Sequence, residues 1–427
     1  MIPKFVYLET YGCSANLNNS EIIKGLIRQS GLDLTSNPKI ADLLIINSCI
    51  VKEPTEKKIE ARIKELSKLS KPLIITGCMP SVRKENLRKK NIYLLPSNNI
   101  KSILKLIRKI AENSYEEKDF FISNNEVKLN LAKVNEVKKI GITQILEGCL
   151  GNCSYCITKL AKGSLFSYPE EKILANIKKD LESGCKEIWL TSQDNAAYGL
   201  DKGKSQLIGF LQKIINLEGN FRIRLGMMNP NNVLPILDEL VEIYKSEKIY
   251  KFLHLPLQSA SNKILKEMNR KYKIEDFLPI IDKFKQEIPN ITIATDIIAA
   301  YPTETEQDFQ ESLKLIEKIQ PEVLNVSKFW PMSGTSAFKL KQLDKKTAKE
   351  RADLLMKIYW DYIREKNKLL LNQESLSLVY DSFNNNYLAR TPAYRLVLIK
   401  SNKNILGKLV KIKITGITQN HFLGELI

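Results

Sequence analysis

ITQILEGCLGNCSYC, residues 142–156, is the stretch whose reading decides the fold. ITQILEG is a short apolar run of the kind that forms a buried strand. The loop after it places Cys149, Cys153 and Cys156 as C-x3-C-x2-C. Three thiolates so close together can wrap one compact metal centre, and both tetrahedral zinc and an iron–sulfur cluster take thiolate sulfur. Three ligands rather than four leave one metal position open, which a [4Fe–4S] cluster can use to chelate a substrate group and a structural zinc site cannot. Gly148, Gly151 and Asn152 allow the tight backbone of such a loop, and Tyr155 sets an aromatic ring just before the third cysteine.

Downstream, strand-like runs alternate with helical patterns: EIWLTSQ, FRIRLGM, FLHLPLQ, ITIATDIIAA and VLNVSKFW follow the helix expected through PEEKILANIKKDLES. About six such strand–helix units imply an open or partial (β/α) barrel, with the cysteine loop after its first strand. A long amphipathic helix, TAKERADLLMKIYWDYIREKNKLLL, closes this region. From about residue 372 the pattern changes to short β-type runs, SLSLVYDSF, NYLARTP, YRLVLIK, KLVKIKITGIT and HFLGELI, which read as a small antiparallel barrel.

Upstream, FVYLETYG, LLIINS (43–48), PLIITG (72–77) and IYLLPS (92–97) read as buried strands, separated by the helical patterns SEIIKGLIRQS and EPTEKKIEARIKELSKL and followed by IKSILKLIRKIAE. That alternation implies a parallel sheet in a doubly wound α/β domain. The expected organisation is therefore α/β throughout its larger part: an N-terminal domain over 1–112, a barrel core over 135–365 and a C-terminal β-barrel over 366–427. The polar stretch 113–138 suits a linker with one short strand.

Cys13, Cys49 and Cys78 each stand where an N-terminal strand ends: YLETYGC, LIINSC and LIITGC. Carboxyl ends of parallel strands share one edge of the sheet, so three cysteines far apart in sequence converge there. A second thiolate-bound cluster is expected on them. Cys185, in LESGCKEIWL, is left as a buried core cysteine. The two histidines, His254 and His421, leave little for a histidine-rich zinc site or a Ser–His–Asp triad.

The 427 residues carry 66 Lys+Arg against 48 Asp+Glu, a net charge of +18. Such a surplus suits a polyanionic partner such as nucleic acid, although compositional drift toward lysine also produces it. No run approaches about 18 apolar residues, so no membrane span is expected. The start, MIPKFVYLETYGCS, has no signal-peptide pattern, which points to the cytoplasm and to cysteines that serve metals rather than disulfides.

C-x3-C-x-aromatic-C on the first strand–helix loop of a (β/α) barrel resembles the signature of radical S-adenosylmethionine enzymes. Three strand-end cysteines, then this motif, then a small β-barrel resemble the methylthiotransferase family over nearly the whole chain. The tracts TSQDNAAYG (191–199), RLGMMNP (224–230), HLPLQSASNKILKEMNRKY (254–272) and TDIIAAYPTETEQDF (295–309) also match, and CITKLAKGSLFSYP is similar to the archaeal and eukaryotic branch. The resemblance implies one [4Fe–4S] cluster on Cys149, Cys153 and Cys156, an auxiliary one on Cys13, Cys49 and Cys78, and a C-terminal RNA-binding barrel of the TRAM type. It implies S-adenosylmethionine as cofactor, tRNA as partner, an electron donor such as ferredoxin or flavodoxin, and a sulfur source.

For that branch the implied activity converts N6-threonylcarbamoyladenosine, beside the anticodon, to its 2-methylthio derivative. Neighbouring expectations are methylthiolation of isopentenyladenosine in tRNA or of a ribosomal-protein aspartate, and a non-catalytic iron–sulfur RNA-binding protein. Polar groups at barrel strand ends must meet the cofactor; the candidates are Gln193, Asp194, Arg224, Gln258 and Asp296, with Arg224 suited to a carboxylate. His254 reads as a core or rim histidine rather than a ligand. On the terminal barrel, Arg390 and Arg395 are the candidates for phosphate, with Tyr387, Tyr394 and Phe422 as stacking rings. The chain departs from the family's usual pattern at Lys162-Gly163 (for Arg-Gly), at Ala260 (for a glycine), at AAYPTE (for GFPGE) and at Met332, where an arginine often stands.

Overall fold

A computed structural model of the chain describes residues 3–51, 53–121, 126–384 and 386–427. Its N-terminal sheet contains β1 (Phe5–Thr10), β2 (Asp33–Thr35), β3 (Leu43–Ser48), β4 (Leu73–Gly77) and β5 (Ile92–Pro96), ordered β2-β1-β3-β4-β5 with every pair parallel. Strands buried on both faces must be apolar at consecutive positions, as LLII is. Leu44, Ile46 and Ile75 meet Ile59, Ile63 and Leu66 of the helix Glu53–Ser67 on one face. Leu43, Ile45 and Ile74 meet Ile22, Ile23 and Ile27 of the helix Ser14–Gln29 and Ile103, Leu106 and Ile107 of the helix Ile103–Ala111 on the other. The domain is doubly wound, as expected. The edge strand β2 was not expected, because DLT offers one apolar residue and no period to read.

The core adds β6 (Ile140–Gln144), the short antiparallel pair β7 (Leu146–Glu147) and β8 (Phe166–Ser167), then β9 (Glu187–Thr191), β10 (Arg222–Leu225), β11 (Phe252–His254), β12 (Thr292–Ala299) and β13 (Val323–Lys328). Parallel sheets β10-β9-β6 and β11-β12-β13 are joined by a bridge between Ile223 and Ile249. Helices Glu170–Glu182, Leu207–Ile215, Leu237–Lys245, Ile274–Glu287 and Glu306–Ile319 alternate with the strands. Their apolar faces, including Ile177, Leu211, Leu240, Phe277 and Phe309, share one core with Ile188, Ile223, Leu253 and Ile293. This is the partial (β/α) barrel; among the described residues β6 and β13 do not pair.

Within 113–138 a single 3-10 turn, Glu117–Phe120, is the regular element among the described residues, and the expected short strand is not seen there; residues 122–125 of that stretch lie outside the described residues. The helix Lys345–Lys368 lies against β13 and the helix Glu306–Ile319, anchored by Tyr359 and Tyr362 hydroxyls donating to Glu322 O (3.1 Å) and Pro321 O (2.9 Å).

The closing barrel has β14 (Glu374–Phe383), β15 (Asn386–Arg390), β16 (Leu396–Lys400), β17 (Leu409–Ile417) and β18 (Phe422–Leu426), closed in the order β14-β15-β16-β18-β17. It is antiparallel except that β16 and β18 run parallel. Five strands are an odd number, so strand directions cannot alternate all round a closed ring and one pair must agree. Phe422 is buried in the barrel core and Tyr387 packs against it, so neither ring stands out for stacking.

Candidate active site

β1, β3 and β4 are neighbours, and each delivers a cysteine just past its carboxyl end: Cys13, Cys49 and Cys78. Gly77 has φ +90°, and a Cβ there would lie 2.2 Å from the Ser48 carbonyl; only glycine lets these two strand ends approach so closely. Asn16, buried in the first turn after Cys13, donates Nδ2 to Tyr11 O and to Ser48 O, both at 2.8 Å. It ties the loop of Cys13 to that of Cys49. Sequence reasoning missed it because ANLNN carries no apolar period, and the helix was expected to start only at Ser20.

Cys149, Cys153 and Cys156 sit on the loop after β7. Gly148 has φ +72°, and a Cβ would come within 1.9 Å of the Ser164 carbonyl. The Cys149 amide donates to Gly163 O (3.2 Å), the Gly151 amide to Cys149 Sγ (3.2 Å) and the Ser154 amide to Met268 O (3.0 Å). Burial pushes the Cys78 and Cys149 thiols up to about 11, and raises Cys49 and Cys156 as well. Metal loading must therefore displace protons from thiols that otherwise hold them at neutral pH.

All six cysteines line one cavity of ≈ 710 Å³. Among the described residues no three His, Cys, Asp or Glu side chains gather tightly enough to hold a single metal ion. A cubane spreads its ligands over separate irons, so its thiolates need not converge on a point, and each triad offers sulfur alone, the donor set of an iron–sulfur cluster.

Of the expected cofactor contacts, Gln193, Asp194, Gln258 and Asp296 line this cavity. The Gln193 side-chain oxygen is buried without a hydrogen-bond partner among the described residues. Asp194 accepts from the Ala196 and Asn229 amides (3.1 and 3.0 Å), Asn229 Nδ2 (2.8 Å) and Asn232 Nδ2 (2.7 Å). Burial nonetheless holds its carboxyl above the usual range. Asp296 contacts His254 Nε2 (2.8 Å) and accepts from Asn325 (2.9 Å), so His254 is a rim histidine. Gln258 adopts φ +74° and bonds through its backbone to Asp296 and Ile298.

Arg224 is elsewhere. Its guanidinium stacks among Trp189 (5.7 Å), Phe252 (5.4 Å) and Tyr394 (5.9 Å), with Nε buried and without a hydrogen-bond partner among the described residues, so rings rather than a ligand carboxylate face it. Arg390 and Arg395 also depart from expectation. Arg390 pairs with fully buried Glu187 at 3.0 Å and lies over Tyr394 and Tyr380; Arg395 donates to Asn367 at 3.3 Å. Tyr394 packs on Tyr250 and Phe252. The turn between β15 and β16 thus docks the terminal barrel onto the starts of the core strands, and its cations and ring serve that joint.

Sequence reasoning passed over Arg270, although the tract at 254–272 contains it. Its Nη1 donates to Cys153 Sγ at 3.3 Å and its Nη2 to Asn229, so Asp194, Asn229, Arg270 and Cys153 form one chain of contacts. Lys328 lies over Trp330 at 5.4 Å on the cavity wall, and Met332 is buried beside Cys49 and Cys78. Lys162, 3.9 Å from Glu147, also lines the cavity. Burial pushes its ammonium down, but Glu147 and the Cys78, Cys13 and Cys49 thiols outweigh that and hold it above the usual lysine range. Cys185 is buried and accepts from Asn135 Nδ2 at 3.0 Å, away from the cavity.

Residues 5–95 match the family described as uncharacterized protein family UPF0004, and residues 143–316 match the radical SAM superfamily. The chain is 38% identical over 427 residues to a probable threonylcarbamoyladenosine tRNA methylthiotransferase of Pyrococcus horikoshii, covering 99% of each. It is 37% identical to the Methanocaldococcus jannaschii protein of that name (99% and 97% covered). It is 34% identical to the threonylcarbamoyladenosine tRNA methylthiotransferase of Homo sapiens (96% and 72% covered). Among solved structures, the radical S-adenosylmethionine methyltransferase TsrM from Kitasatospora setae superposes with TM-score 0.55 at 12% identity, over 76% of this chain and 73% of that one. The cobalamin-dependent radical enzyme OxsB superposes with TM-score 0.52 at 12% identity, over 85% and 56%. These two share the fold. A cavity walled by six cysteines, the radical SAM match and full-length relatives in archaea and eukaryotes lead to one statement: the chain belongs to the threonylcarbamoyladenosine tRNA methylthiotransferase family of radical S-adenosylmethionine enzymes.

Proposed function

We propose that this chain converts N6-threonylcarbamoyladenosine in tRNA to its 2-methylthio derivative, using two [4Fe–4S] clusters. The observation that carries the reading is the common cavity: Cys149, Cys153 and Cys156 on one wall and Cys13, Cys49 and Cys78 on another. Replacing a C–H bond by C–S–CH3 needs hydrogen removal and sulfur delivery at the same carbon, and only a shared chamber serves both. When bound, the first cluster with one S-adenosylmethionine would supply the one-electron chemistry that opens the adenine C2–H bond, a second S-adenosylmethionine would supply the methyl group, and the second centre would supply the sulfur.

The protein's residues bind and orient. Gln193 offers an unpartnered oxygen to an ammonium or hydroxyl of the cofactor. Asp194 holds Asn229, and Asn229 with Arg270 holds Cys153. Gln258 and Asp296 close the barrel side of the chamber. Lys328 and Trp330 offer a cation and a ring face to a nucleotide entering it. The remaining parts of the reading are a flavodoxin- or ferredoxin-like electron donor, a sulfur source and a cytoplasmic setting. No helix among the described residues is long and apolar enough to cross a membrane.

The test is anaerobic cluster reconstitution of the full chain, followed by nucleoside mass spectrometry of tRNA incubated with S-adenosylmethionine and reductant. A 2-methylthio product from threonylcarbamoylated tRNA, and none from isopentenylated tRNA, is expected. Absence of that product with intact cofactor cleavage sinks the substrate assignment. Cys153→Ala is expected to abolish cofactor cleavage; surviving cleavage would mean the first cluster lies elsewhere.

A further inference from the structure

Lys162 ends the short helix Thr158–Lys162 that follows the Cys149–Cys156 loop, and it is 3% exposed. Its ammonium group is buried and has no hydrogen-bond acceptor among the described residues. Glu147 Oε2, also without a hydrogen-bond partner among the described residues, stands 3.9 Å away, beyond hydrogen-bond reach, while Oε1 of the same carboxylate is paired with buried Lys128. One carboxylate between two lysines leaves one positive charge over. A buried cation with idle donors is expensive unless an anion completes it.

Among the described residues no other cation on the cavity wall is both buried and without an acceptor. Arg270 is bonded to Cys153 and Asn229, Lys271 donates to Asn269, and Lys328 lies over Trp330. Lys162 therefore stands out, and it lines the same cavity as Cys13, Cys49 and Cys78, whose thiols act on its charge. Three thiolates on a four-iron core leave one iron without a protein ligand. A sulfur anion at that position adds negative charge to a site already rich in it.

We propose that Lys162 positions this anion: its N–H donors hold a hydrosulfide or methanethiolate beside the Cys13–Cys49–Cys78 centre, fixing the sulfur that faces the substrate. The assignment rests on the reading of that triad as a second cluster. N–H donors to sulfur and a nearby positive charge also tune such a centre's potential upward.

The experiment uses the full chain after anaerobic reconstitution. Iron and sulfide are counted first in the unaltered protein, before any ligand is added. The iron of two cubanes is expected; the iron of one overturns the second-cluster reading and this assignment with it. Methanethiolate is then titrated and followed by electron paramagnetic resonance of the reduced protein, alongside a redox titration. Lys162→Met is expected to keep its iron, to bind methanethiolate roughly ten- to a hundredfold more weakly, and to show a more negative midpoint for the second centre. Lys162→Arg is expected to restore both. Unchanged methanethiolate affinity in Lys162→Met, with both clusters present, overturns the proposal. Should Lys162→Met fail to retain iron, Lys162→Gln carries the test. It keeps N–H donors but lacks the positive charge that balances the anion, so weaker methanethiolate binding is still expected, and affinity equal to the unaltered protein's overturns the proposal.

Discussion

Ala300 holds a left-handed backbone, φ +61°, directly after β12, while its amide donates to Glu304 Oε2 at 2.8 Å. An L-residue with a Cβ pays a steric cost there that glycine avoids. Ala300→Gly is expected to raise stability by about 1 kcal/mol, read as a higher melting temperature; a lower one refutes the strain. Ala260, the other alanine in a glycine position, is outside the left-handed region and bonds Ser312 through its amide at 3.1 Å. That departure carries no backbone cost. Arg270 invites a different test. Removing its hydrogen bond to Cys153 in Arg270→Met leaves that sulfur more electron-rich, so cofactor cleavage is expected to fall about tenfold or more and the first cluster's midpoint to become more negative. An unchanged midpoint would show that Arg270 is structural only. The six cysteines were legible because soft-ligand chemistry and strand-end position are both written in sequence. Arg270 and Asn16 were not, since their importance lies in hydrogen bonds to residues over a hundred and about thirty positions away.

The helix Ser14–Gln29 joins the N-terminal sheet to the barrel core through Glu21. This side chain is 1% exposed, accepts from the Glu136 amide at 2.9 Å and keeps its second oxygen without a hydrogen-bond partner among the described residues. Burial pushes its carboxyl up to about 7, against Lys133, which pulls it down. A folded-state value above the ordinary carboxylate value means that native binding favours the proton. The contribution is therefore complete below about pH 4.5 and lost as pH rises through about 7, an upper bound of about 3 kcal/mol. Glu21→Gln is expected to melt like the unaltered protein at pH 5 and higher at pH 8; an equal difference at both pH values refutes it. The terminal barrel is joined by a different device. Arg390→Met strands the Glu187 carboxylate at 0% exposure with Trp189 and Tyr250 as its remaining side-chain donors among the described residues. A loss of about 3–5 kcal/mol is expected, seen as early hydrogen exchange in β14–β18. Element types were readable because apolar runs and helical periods alternate so regularly. Docking was not, because an arginine beside tyrosines in a basic barrel looks the same in sequence whether it faces phosphate or a buried glutamate.

The molecule as a whole carries +18, and the terminal barrel now divides that charge into two kinds. Arg390 and Arg395 are spent on joints, whereas Lys400, Lys403, Lys408 and Lys411 are exposed. For the proposed tRNA substrate, replacing Lys400, Lys403 and Lys408 by Gln is expected to flatten the dependence of affinity on salt, by about one unit of log–log slope for each phosphate that is no longer neutralised. Melting is expected to stay unchanged. An unaltered slope would place the RNA on another face. The shared cavity has a further consequence, in the order of synthesis. Every cysteine of both triads has been translated by residue 156, but Lys328, Trp330 and Met332, which wall the chamber, come much later. On the ribosome the thiols emerge into an open bowl, reachable by iron carriers and by oxidants alike. Only the second half of the chain turns that bowl into a room, so the protein's most oxygen-vulnerable moment comes before it is finished.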